Sequence, residues 1–159
     1  MKDIIVNWDN LNRFQLGKYA EYYAKMEFTL FGFDVFTPEI DDKGIDFIAK
    51  KSKNGEYLEI QVKAIRKLNT VFMQKVHFDI TKENLYLVLL IFSENKMPDM
   101  FLIPAKTWGT PNKLFVGGDF GKPGQTSPPE WRLNLSTKNL DKLNDYQFDD
   151  KIKEIAMEQ

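Results

Sequence analysis

Asn54-Gly55 lies between two short runs, residues 45–50 and 57–64, in which apolar and polar side chains alternate, and this arrangement restricts the fold more tightly than anything else in the chain. Asparagine and glycine both tolerate the positive φ of a type I′ turn, so the pair predicts a two-residue hairpin loop. Such a loop fixes the register and sets Asp46 against Lys63, Ile48 against Gln61 and Lys50 against Glu59. These six side chains then share one face of the ribbon. The other face carries Ile45, Phe47, Ala49, Leu58, Ile60, Val62 and Ala64, which are uniformly apolar and therefore predicted to be core.

Helical spacing precedes the hairpin. Leu16, Ala20, Tyr23, Ala24, Leu30 and Phe31 recur every three or four residues, Asp9, Asn10 or Asn12 is placed to cap the start, and Gly32 to end it. Glu21 falls at the border of the apolar arc. Glu27 falls nearer its centre, which predicts either a buried pair or a helix that frays there. Strands are predicted at residues 33–36, 71–79, 85–92, 100–103 and 131–135, and one or two helices from Ser136 or Thr137 to Met157. Residues 117–129 read as a long surface loop. The spacing from Gly117 to Gly121-Lys122 is one residue short of a phosphate-binding loop, and Pro123 stands where Ser or Thr is required. Trp108, Phe115, Phe120 and Trp131 read as core or loop anchors before base-stacking groups.

Elimination narrows the chemistry. The chain of 159 residues has no cysteine and one histidine, His77, so disulfides, thiol nucleophiles, Cys-based zinc sites and multi-His metal sites are excluded. His77 lies in a strand-like stretch and is assigned no role. The longest apolar run, residues 85–92, is far below the roughly 20 residues that span a bilayer. Residues 1–10 lack the pattern of a signal peptide, and a cytoplasmic protein is expected. The length suits a single domain spanning residues 1–159.

One histidine could still serve as a lone general base, but in an enzyme carboxylates, lysines and a hard metal ion must then carry most of the work. Phosphodiester hydrolysis needs oxygen ligands for Mg²⁺, a source of hydroxide near neutral pH and a cation facing the developing charge. The polar face of the hairpin offers Asp46 as a carboxylate, Gln61 as a neutral carbonyl oxygen and Lys63 as an ammonium whose pKa falls in a crowded site. Glu21 can complete the ligand shell from the helix, and Glu59 is a further carboxylate on the same face. The periodicity alone also fits a plain wet strand face, on which Asp46 and Lys63 form a cross-strand ion pair contributing about 0.2–1 kcal/mol.

The order of the parts adds to this. A helix bearing Glu21, then Gly44-Ile45-Asp46, then Glu59-Ile60-Gln61-Val62-Lys63 resembles the PD-(D/E)XK nuclease superfamily over about residues 16–64, and Gln-x-Lys in place of Glu-x-Lys resembles its Mrr-like and Holliday-junction-resolvase-like branch. The resemblance implies a restriction endonuclease-like α/β fold, three-layer α-β-α with a mixed central sheet. It also implies Asp46 and Gln61 as ligands of Mg²⁺ or Mn²⁺, with Lys63 as the catalytic lysine and Glu21 as the accessory helix acid. Ile45 stands where the superfamily carries proline. Gln61 removes one negative charge from the metal site, which leaves two expectations. One is a metal-dependent endonuclease hydrolysing DNA; the other is a weak or inactive nuclease-fold module with a binding or regulatory role in a defence or repair system.

Charge bears on the partner. The net charge of −1 argues against gripping nucleic acid through overall basicity. Locally, however, Lys43, Lys50, Lys51, Lys53, Arg66 and Lys67 cluster around the motif and form a candidate phosphate track, which a homodimer would double.

Overall fold

The computed structural model describes residues 6–118, 124 and 126–158. Asn12 caps the first helix, α1 (Arg13–Leu30). Its side chain accepts from the Gln15 N–H at 2.9 Å, and the Gln15 side chain accepts from the Asn12 N–H at 2.9 Å, which satisfies two donors that the helix leaves open. Gly32, at φ +86°, turns the chain away from the helix end. Leu16, Ala20, Ala24 and Phe28 form one buried row along α1. The helix runs unbroken past Glu27, so no fraying occurs there, and Glu27 is half-buried with no ion pair among the described residues. Burial first, and the charge of Asp149 second, push its carboxyl pKa up.

The described strands are β1 (Phe33–Phe36), β2 (Phe47–Lys51), β3 (Tyr57–Ile65), β4 (Thr70–Gln74), β5 (Leu85–Ile91), β6 (Asp99–Pro104), β7 (Phe115–Gly118) and β8 (Glu130–Asn134), and α2 (Phe148–Met157) follows them. Five form a mixed sheet in the order β1-β2-β3-β5-β6, in which β3 and β5 are parallel and the other pairs antiparallel. β5 is apolar throughout because both its faces are covered. Val88 and Leu90 join Phe47, Ala49, Leu58 and Ile60 under α1 and α2. Leu85, Leu87, Leu89 and Ile91 face a second core with Trp108, Phe115 and Leu133. That second layer is the three-stranded sheet β4-β8-β7 with 3₁₀ turns at Lys75–His77 and Ala105–Gly109. The α/β class and mixed central sheet are as expected. The two α-helices share one face, and strands and short turns cover the other.

The β2–β3 hairpin forms with a different loop from the one predicted. Four residues, 52–55, make the turn, closed by the Lys51 N–H donating to Glu56 O at 2.7 Å and the Gly55 N–H donating to Lys51 O at 3.1 Å. Only Gly55 takes a positive φ, +74°; the Asn54 side chain instead accepts from the Glu56 N–H at 3.0 Å. Ile48 therefore faces Glu59, and Lys50 faces Tyr57, a slip of two residues from the predicted register. An even slip leaves each side chain on its predicted face. Ile45 is the exception among the apolar residues, since it packs against the second core.

Elsewhere, β4 ends at Gln74, so His77 lies in a 3₁₀ turn and not in a strand. β7 was not anticipated. The predicted C-terminal helical stretch resolves into a 3₁₀ segment, Leu140–Tyr146, and α2. Trp108 and Phe115 are buried as anchors, whereas Phe120 and the rest of residues 119–123, with residue 125, lie outside the described residues.

Candidate active site

Asp46 sits just ahead of β2, where Gly44 bends the chain at φ +72°. Its backbone N–H donates to Ile60 O at 2.8 Å, and its Oδ2 accepts from the Val62 N–H at 2.6 Å. The carboxylate is thus aimed at the middle of the Gln61-Val62-Lys63 segment. Opposing effects act on it. Burial raises its pKa most, the Val62 hydrogen bond lowers it, Glu21 and Asp41 raise it and Lys63 lowers it, and the balance is pushed up to about 6.

Lys63 responds to the same surroundings. Burial lowers its pKa, the Asp46 charge raises it and Arg13, at the start of α1, lowers it again. No hydrogen bond or ion pair engages the Lys63 ammonium among the described residues. The cross-strand ion pair with Asp46 is therefore absent, in keeping with the shifted register.

Gln61 is 8% exposed, and its Oε1 is buried without a hydrogen-bond partner. Leaving such an acceptor unsatisfied costs about 1–3 kcal/mol. Gly44 leaves room for the other end of the amide, because a Cβ there would stand 2.9 Å from Gln61 Nε2 and 2.9 Å from the His77 Cβ. The glycine of Gly44-Ile45-Asp46 is required both by its φ and by this close approach. His77 consequently adjoins the site. Its place depends on the course of the chain after β4, which local spacing does not reveal.

Glu21 reaches the site's edge from α1, where the Lys18 Nζ donates to its Oε2 at 2.8 Å. The i, i+3 spacing of Lys18 and Glu21 made that pair legible in the sequence. The coupling of Arg13 to Lys63 carried no such signal. Glu59 is not brought into the group: Lys82 holds its Oε2 at 2.9 Å.

Two members of the predicted phosphate track are withdrawn. Lys51 is buried, 7% exposed, with its ammonium on Glu56 at 3.2 Å and Glu158 O at 3.4 Å. Arg66 donates to Leu11 O and approaches Asp9, tying down the segment ahead of α1. Lys43, Lys50, Lys53 and Lys67 remain exposed.

The donor set suits a hard cation. Mg²⁺ needs only one or two carboxylates and keeps several waters, and Asp46, Glu21 and the orphaned Gln61 oxygen supply that much. Among the described residues, no three Asp, Glu or His side chains gather as a metal-holding group.

No protein-family model matches the sequence, and no curated protein matches it. Solved structures do. Hjc of Archaeoglobus fulgidus, a Holliday junction resolvase from an archaeal hyperthermophile, superposes with a TM-score of 0.52 at 10% identity, covering 86% of this chain and 95% of that one. The bacterial homing endonuclease I-Ssp6803I gives a TM-score of 0.45 at 15% identity, covering 79% and 77%. No helix among the described residues is long and apolar enough to cross a membrane. The mixed sheet and the likeness to Hjc identify the architecture as a restriction endonuclease-like fold.

Proposed function

We propose that this chain is a metal-dependent endonuclease that hydrolyses DNA phosphodiesters. Asp46, Gln61 and Glu21 hold one Mg²⁺ or Mn²⁺ ion, and Lys63 positions the attacking water. The observation that carries the reading is the buried, unpartnered Oε1 of Gln61 beside a carboxyl whose pKa is pushed up to about 6. A divalent cation meets both conditions, giving the amide oxygen a partner and favouring the ionised carboxylate.

When bound, the ion supplies positive charge at the phosphate and a water of lowered pKa. The remaining work falls to the chain. The Val62 N–H holds Asp46 in one orientation. Lys63, destabilised as an ammonium by burial and by Arg13, releases a proton more readily than a surface lysine, so it can serve water as a base and the developing phosphorane as a cation. The exposed Lys43, Lys50, Lys53 and Lys67 supply phosphate contacts. With so few cations, binding is weak and its salt dependence shallow.

One observation favours the second reading, a weak or inactive nuclease-fold module: the sparse acidic set around Asp46. Nicking of supercoiled plasmid and of branched DNA in Mg²⁺ or Mn²⁺ separates the two. Metal-dependent cleavage that is lost with chelator, in Asp46→Asn and in Lys63→Ala supports the enzyme. Equal cleavage by wild type and Asp46→Asn refutes the assignment, and the absence of saturable divalent-metal binding in calorimetry supports the module.

A further inference from the structure

Phe14, in the first turn of α1, is the most exposed large apolar side chain among the described residues, at 87%. A single exposed ring is ordinary on a protein surface, so its surroundings decide what it means. Phe14 and Glu21 are seven residues apart on one helix. They therefore point within about 20° of the same direction and stand about 10 Å apart along the axis. The ring lies on the flank of α1 that carries the helix carboxylate of the candidate site. Between the two is Gly17, where an added Cβ would meet nothing within 4 Å. No packing calls for glycine there, and glycine weakens a helix interior relative to alanine. What it leaves is an open gap between ring and carboxylate.

This end of the helix is also held beside β3. Arg66, just beyond that strand, donates to Leu11 O. Arg13, next to Phe14, acts on Lys63, and neither cation has an ion pair among the described residues. Lys18, one turn on from Phe14, has its ammonium on Glu21 at 2.8 Å. The ring is thus bordered by cations that lack anions. One turn on, Gly17 and Lys18 add no apolar surface that would extend it into a patch for a protein partner. A partner that is polyanionic and also presents flat apolar faces is a nucleic acid, with a base stacked on the ring.

We propose that Phe14 stacks an unpaired base lodged over Gly17, so that the site prefers DNA with an unpaired nucleotide about three positions from the scissile phosphate. The proposal rests on the nuclease reading. In a paired duplex both faces of a base are covered by its neighbours in the stack, whereas an unpaired base swings out and offers them. The position follows from length, since about 10 Å along α1 corresponds to about three nucleotides of a stacked strand at about 3.4 Å each.

The test compares a paired duplex with the same duplex carrying one unpaired 2-aminopurine, by fluorescence anisotropy in the Asp46→Asn background, which under the nuclease reading binds without cutting. Phe14→Ala should lose about tenfold more affinity for the bulged duplex than for the paired one. Phe14→Trp should restore the difference; Phe14→Leu, apolar but without a ring face, should not. Quenching of the 2-aminopurine, the signature of stacking, should accompany Phe14 and Trp and vanish with Ala and Leu. Gly17→Gln fills the gap with a good helix former, and it should abolish the preference with the ring still in place. Plasmid nicking by the chain with Asp46 intact reports on the nuclease reading separately. With nicking observed, an equal loss on both duplexes, leucine serving as well as tryptophan, unquenched 2-aminopurine, or a preference that survives Gly17→Gln overturns the proposal alone. A chain that neither nicks nor binds either duplex removes the nuclease reading and the proposal with it.

Discussion

Asp46→Asn should stabilise the fold near neutral pH while removing a carboxylate proposed as a metal ligand. The Asp46 carboxyl titrates at about 6 in the folded chain against an ordinary 3.8, chiefly because it is buried. A folded pKa above the unfolded one means that the native state holds the proton more tightly. Stability contributed by this group is therefore full below about pH 4 and is lost as pH rises through about 6. The whole loss amounts to about 3 kcal/mol. Between pH 5 and pH 7.5 the portion lost is about 1.4 kcal/mol. Asparagine keeps an acceptor for the Val62 N–H and carries no charge to desolvate. Relative to wild type, the variant should gain up to about 3 kcal/mol at pH 7.5, which for a chain of this length is about 6–12 °C in Tm, and about 1.4 kcal/mol less than that at pH 5. Urea unfolding of both proteins at the two pH values, in chelator, measures the difference. Added Mg²⁺ at pH 7.5 should then stabilise the wild type and leave the variant unmoved. If the two proteins gain and lose stability in parallel between pH 5 and pH 7.5, the carboxyl is not held protonated by burial and the reasoning fails.

Further outcomes follow from the same geometry. Gly44→Ala should cost about 1–2 kcal/mol for the left-handed backbone alone, and more from the approach to Gln61 and His77, with cleavage falling alongside Tm. Lys63→Met should leave urea stability equal or higher, because a desolvated ammonium is removed, while plasmid nicking drops to background. The pH–rate profile should rise through about pH 6 as Asp46 ionises and level or fall below the ordinary lysine pKa as Lys63 deprotonates. Lys51→Ala should lower Tm without changing DNA affinity, whereas Lys50→Ala should leave Tm unchanged and weaken binding in a salt-dependent way.

The comparison of sequence with structure divides along the range of the interactions involved. The cap of α1, one of three candidates, and the alternation through Phe47, Ala49, Leu58 and Ile60 needed only local chemistry, and each was readable from neighbours a few residues apart. The hairpin was readable too, but not its loop. Whether the turn takes two residues or four depends on which closing hydrogen bonds the packed strands permit, and those bonds put Asp46 beside Gln61 and Val62 with no hydrogen bond or ion pair to Lys63 among the described residues.

The wet face of the hairpin offered Asp46, Gln61 and Lys63 and the helix offered Glu21, and the resemblance in the order of these parts nominated them as a site. Burial was not legible, and burial decides how a charge behaves. It withdrew Lys51 from the surface, raised the pKa of Asp46, lowered that of Lys63 and left the Gln61 oxygen without a partner. The sequence by itself determined which groups are present and which face of a strand or helix each occupies, since both follow from composition and from periods of two and 3.6 residues. Only the tertiary structure decided which of them lose water and which meet across distant segments, because desolvation and long-range contact depend on every element packed around a residue.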